Sequence, residues 1–126
     1  VARGRLGISS GKEDILLELD PEGSAYCVLV GQDVIEIADI LASESRSIWE
    51  ASDRVMGRPA QVDGDPNTSC RLTTETGTLQ ATVHESRPLV AIAYDSGTHC
   101  RMDVAQAVAL VQILQRMAAT VADRAP

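Results

Sequence analysis

The sequence predicts an α/β fold of the α+β kind in the order ββ-α-βββ-α: a two-strand hairpin and a three-strand antiparallel meander, each followed by a helix. Three observations lead there. Residues 32–56 contain neither Pro nor Gly, and their apolar and small residues recur at helical spacing. Residues 70–95 hold three strand-like segments separated by Thr76-Gly77 and Ser86-Arg87-Pro88. Residues 103–123 carry an apolar arc over about half the helix circumference, wider than the usual amphipathic stripe.

Length and composition bound the answer. At 126 residues the chain is one domain with enough apolar content for a core of its own. There is no Phe; Trp49, Tyr26 and Tyr94 are the aromatic residues, and Val, Ala, Leu and Ile supply the rest. The net charge of −7, with arginines scattered along the chain and Lys12 the one lysine, argues against nucleic acid and against an anionic membrane. A partner with a basic face suits it better. Cys27, Cys70 and Cys100 are odd in number and sit in apolar strand contexts, which, with no signal peptide in view, points to buried thiols and a cytoplasmic setting. No apolar run approaches the roughly 20 residues of a membrane helix, so no membrane insertion is expected.

Taken in order, residues 1–13 are polar and Gly-rich and read as a flexible lead to a domain spanning 14–123. Gly7 to Lys12 looks superficially like a phosphate loop. The spacing fails, because Leu6 stands where the first Gly belongs and Glu13 where the Ser/Thr belongs. Residues 14–20 and 25–30 read as a hairpin closed by the Asp20-Pro21-Glu22-Gly23 turn, with 25–30 apolar on both faces. The helix over 32–56 opens with a D-x-x-E capping box, Asp33 and Glu36, and stops at Gly57 and Pro59. Its stripe is Val34, Ala38, Leu41, Ser45, Ile48, Ser52 and Val55. Arg46–Glu50 and Glu50–Arg54 are i,i+4 pairs on the other side.

Residues 57–69, dense in Gly, Pro, Asp and Asn, read as a connector. Residues 70–75 then alternate strictly, with Cys70, Leu72 and Thr74 on one side. Residues 78–85 alternate again, and 89–95 are apolar on both faces, which suits a central strand. Residues 124–126 are a tail.

His99 and Cys100 are strand neighbours on opposite faces, and Cys70 and His84 alternate to opposite faces, so neither pair shares a metal. Asp63 and Asp65 lack the remaining ligands of a calcium loop. His84, His99 and Asp95 are the candidates for a small enzyme. No catalytic, cofactor or metal site is assigned.

The hairpin over 15–30, the helix text DVIEIADILASESRSIWEASDRVMG and the meander TSCRLTTETGTLQATVHESRPLVAIAYDSG resemble the Roadblock/dynein-light-chain family, especially its actinobacterial members. The likeness covers about 14–123; residues 1–13 do not supply the family's usual first helix. It implies a Roadblock/profilin-like fold, a five-stranded antiparallel sheet with helices on its faces, and a homodimer in which central helices pack together and the strand over 70–75 pairs with its mate. The dimer-interface candidates are then Ala38, Leu41, Ser45, Ile48, Trp49, Ser52, Cys70, Leu72 and Thr74. Those stripe residues serve equally well against the chain's own sheet. The family implies a non-enzymatic regulatory or scaffold subunit that binds a small Ras-like GTPase. A secretion-chaperone-like module that captures an unfolded segment is the alternative, with a small enzyme third.

Overall fold

The computed structural model describes residues 4–21, 26–54 and 57–123. Among these described residues, eight strands and two helices follow in the order β1 (Gly4–Ser10), β2 (Ile15–Pro21), β3 (Tyr26–Val30), α1 (Gly31–Ala51), β4 (Gln61–Asp65), β5 (Ser69–Thr73), β6 (Thr78–Val83), β7 (Leu89–Tyr94), β8 (His99–Met102) and α2 (Val104–Ala122). The fold is α+β. It has two antiparallel sheets, β1-β2-β8 and β3-β7-β6-β5-β4, rather than the single five-stranded sheet expected.

Each difference has a local cause. Residues 4–10 are a strand and not a flexible lead. Leu6 and Ile8 alternate with Gly7 and Ser9, and β1 pairs with β2 along its whole length. The expected hairpin of 14–20 with 25–30 does not form. Ile15, Leu17 and Leu19 of β2 are fully or almost fully buried, and β2 holds them between β1 and β8, while β3 pairs with β7. The turn proposed there falls partly on residues outside the described ones. The expected connector contains β4, which pairs with β5 from Gln61↔Thr73 to Asp65↔Ser69. The 70–75 strand is therefore interior, and β4 forms the edge.

The meander is as expected: β5, β6 and β7 pair in sequence, with β7 between β6 and β3. Cys70, Leu72, Leu79, Ala81, Val83, Val90 and Ile92 point inward by strand alternation and are buried.

Helix α1 starts three residues earlier than the capping box predicts. β3 runs straight into it, so Val30 is the N-cap and offers no side-chain cap, while Asp33 sits in the first turn, where its charge favours the helix dipole. The helix ends at Ala51, with Ser52 as C-cap. Arg54 lies over the Trp49 ring, 5.2 Å from its centroid, in place of a pair with Glu50.

Helix α2 matches its predicted limits. Asp103 is the N-cap, its carboxylate accepting from Gln106 N–H at 2.8 Å, while Gln106 Oε1 accepts from the Asp103 N–H at 3.1 Å. At 19 residues it is long and apolar enough to cross a membrane by length and composition, which corrects the expectation that no run comes near that size. Its apolar side is used inside the fold: Leu110, Leu114 and Met117 are essentially inaccessible.

The two helices pack side by side and antiparallel. A Cβ placed on Gly31 would lie 3.5 Å from Val121 Cγ2, and Trp49 and Val104 line one cleft at the other end. The helix pair and the inner faces of both sheets enclose one core. The sheets meet where Glu75 N–H, just past β5, donates to Arg101 O of β8 at 3.1 Å.

Candidate functional site

The side chains with chemical potential are dispersed. His84 follows β6 and accepts at Nδ1 from the N–H groups of Ser86 (3.1 Å) and Arg87 (3.2 Å), which makes it a turn-holding residue. Asp95 stands at the other end of the β6–β7 ladder, beside Thr78. A strand the length of β6 separates the two by roughly 17–20 Å. His99 is exposed in the other sheet, opposite Glu18, with Nδ1 2.9 Å from Thr98 Oγ1. These three do not converge.

The cysteines are buried, and burial raises the pKa of each thiol above its ordinary value, Cys100 to about 11. Cys100 Sγ lies 3.5 Å from Thr74 Oγ1 and donates to it. A thiol held neutral in an apolar setting is a poor nucleophile. Asp65 uses Oδ1 to accept from Asn67 N–H at 2.9 Å, a turn-forming role. No group of three His, Cys, Asp or Glu side chains is placed to hold a metal ion among the described residues. Residues 7–12 belong to β1 and its turn, where Gly11 N–H donates to Asp14 O, and no helix N-terminus follows them.

The interface candidates divide in two. Ala38, Leu41, Ser45 and Ile48 are buried within the chain, and Ser45 Oγ satisfies itself on Leu41 O at 2.6 Å. The small side chains of Ala38 and Ser45 let α2 approach, so the stripe offers no surface to a second copy. Cys70, Leu72 and Thr74 are likewise buried, on the inner face of an interior strand. Ser52 is half-buried and donates to Lys12 O at 2.9 Å. Trp49 alone opens to solvent in a useful way: it is half-buried in a cleft of about 450 Å³ between the helices, with Ala42, Val108 and Val111.

Compared with family models, curated proteins and solved structures, the chain matches none.

Two surfaces escaped the sequence reading. The first is the outer side of α1, where Glu36, Asp39 and Glu50 are exposed and Ile35 and Ile40 flank them at 45% and 47% exposure. The signal was two isoleucines lying off the apolar stripe. The second is β4, whose five residues are all exposed at the end of the larger sheet. Its signal was the alternation of Gln61, Asp63 and Asp65 with Val62 and Gly64, hidden among prolines and glycines.

Proposed function

We infer that the protein is a non-enzymatic protein-binding module. The observation that carries this reading is the outer side of α1: two isoleucines nearly half exposed on a helix whose neighbouring solvent-facing residues are largely acidic. Apolar anchors within a charged surround are how protein interfaces are composed. The acidic charge would draw a partner with a basic face and suppress acidic ones.

The Roadblock resemblance supplies the partner class. In that reading the chain is a homodimeric regulatory or scaffold subunit for a small Ras-like GTPase and leaves the nucleotide to its partner. Because Ala38, Leu41, Ser45 and Ile48 serve α2, a dimer would have to use the outer side of α1 instead. The test titrates the protein against a Ras-like GTPase loaded with GDP or with a non-hydrolysable GTP analogue, with light scattering of the free protein alongside. Nucleotide-dependent binding that Ile35→Asp and Ile40→Asp abolish is the expected result. A clean monomer that ignores both nucleotide states removes the GTPase reading.

The secretion-chaperone-like reading also draws support from a specific feature. An open strand edge is what capture of an extended segment requires, and β4 has one.

A further inference from the structure

The main-chain groups of β4 have a direction that follows from its neighbours. Val83 N–H donates to Thr68 O at 2.7 Å and Thr74 N–H to Gly77 O at 2.8 Å. In an antiparallel ladder, hydrogen-bonded and non-hydrogen-bonded pairs alternate. Thr68, Cys70, Leu72 and Thr74 therefore spend their main-chain groups on β6, and Ser69, Arg71 and Thr73 turn theirs to β4. Their partners there are Asp65, Asp63 and Gln61. Val62 and Gly64 are left with N–H and C=O directed away from the sheet, toward solvent.

The side chains of the same strand sort by face. Val62 lies opposite Leu72, on the core side, yet it is 39% exposed. A cleft of about 440 Å³ opens further along the same edge, its lining residues mostly polar, with Arg58, Gln61, Glu75 and Gln106 beside Pro59 and Ala60. On the opposite face stand Gln61, Asp63 and Asp65. Arg71 is opposite Asp63 one strand further in and closes no ion pair with it, so the Asp63 carboxylate stays available.

We propose that the β4 edge binds an extended segment of a partner protein by strand addition, and that this segment alternates basic with apolar residues. The unpaired N–H and C=O of Val62 and Gly64 supply main-chain bonds. The carboxylates of Asp63 and Asp65 take the basic side chains on one face, and the exposed Val62 side chain packs against the apolar ones on the other. The same charges select against a second copy: an antiparallel β4–β4 pairing centred on Asp63 sets two aspartates face to face. Pro59 and Pro66 confine the addition to the residues between them. The inference rests on the protein-binding reading and gives it a site and a ligand chemistry.

The probe is a short synthetic peptide alternating lysine with valine, compared with a peptide of the same composition in block order. Binding is followed by fluorescence anisotropy and by amide shifts in a nitrogen–proton spectrum. The alternating peptide should bind, and should move the Val62 and Gly64 amides most. Val62→Pro removes an outward N–H without touching the ladder to β5, and should weaken binding about tenfold, the scale of one or two lost hydrogen bonds. Asp63→Lys, at an exposed position, should lower affinity for the lysine peptide and raise it for a glutamate–valine counterpart. This second variant keeps the test open should Val62→Pro fail to fold. Equal binding of the block peptide, undiminished binding by Val62→Pro, or no binding of either peptide overturns the proposal. A folded partner protein bound equally well by wild type and Val62→Pro also overturns it, while leaving the protein-binding reading standing.

Discussion

Gly57 and Asp103 occupy one another's space: a side chain on Gly57 would collide with the Asp103 carboxylate, and Gly57 itself has φ +92°. That closeness lets a single carboxylate join two parts of the chain. Asp103 Oδ1 caps α2 through Gln106 N–H, while Oδ2 accepts from Arg58 N–H at 3.0 Å and so fixes the path from α1 into β4. Gln106 extends the set by donating to Glu75 Oε1 at 3.1 Å.

Gly57→Ala should therefore destabilise the protein by more than ~1 kcal/mol, since a positive φ and a collision both oppose the new methyl group. Asp103→Ala should cost about 1–2 kcal/mol through the lost cap, with a further loss from the orphaned Arg58 N–H. Asp103→Asn retains an acceptor for the cap and should cost less than Asp103→Ala. Urea unfolding of the three variants checks the order.

The C-terminus of α1 offers a change in the other direction. Arg54 N–H donates to Trp49 O at 2.8 Å, the six-to-one bond of a Schellman motif, and this puts Asp53 at the left-handed position with φ 55°. Glycine is the usual occupant there because an L side chain crowds its own backbone. Asp53→Gly should raise stability by up to ~1 kcal/mol and leave the Trp49 fluorescence near that of the wild type. Arg54→Ala should instead alter that fluorescence, because the guanidinium lies over the indole ring.

These same regions explain what could be read from the sequence and what could not. Helix α2 and the β5–β7 meander were legible because side-chain period reports burial directly, and both have long uninterrupted patterns. Period says which face is buried but not which strand stands alongside, so β2 was assigned to β3 rather than to β1 and β8. β1 and β4 were missed because Gly4, Gly7 and Gly64 dilute the alternation that marks a strand. The α1 stripe had the same limit: Ala38 and Ser45 allow a close helix neighbour, and the neighbour is α2. The Asp33 capping box failed because β3 enters the helix directly, leaving no loop for a capping side chain.

Acid should expose the role of Asp95. Its carboxylate accepts from Thr78 N–H at 2.9 Å and from Ser96 O–H at 2.7 Å, and these bonds hold its pKa below the ordinary 3.8. A depressed folded-state pKa contributes stability above the unfolded value and loses it as pH falls through the folded one. Asp95→Asn should be less stable than wild type at neutral pH, and the difference should shrink below pH 3.8. A constant gap down to strong acid would show that the charge on Asp95 contributes nothing.

Alkali should act on the core through Cys100. Burial is the main cause of its raised pKa, from an ordinary 9.0 to about 11, outweighing the opposing effect of the Thr74 hydrogen bond. For an acid whose folded pKa is raised, the sign reverses relative to Asp95. The folded state keeps a proton that the unfolded chain has given up, so the contribution is whole below pH 9.0 and is lost progressively as pH rises toward about 11. Stability should fall across that interval, and Cys100→Ala should reduce the slope. It should not abolish it, because burial raises Cys27 and Cys70 as well. The same burial predicts that a thiol reagent added to the native protein reacts only as fast as the fold opens, while the urea-unfolded chain reacts at once. Rapid labelling of Cys100 without unfolding would contradict its placement between β2 and Thr74, and with it the join between the two sheets.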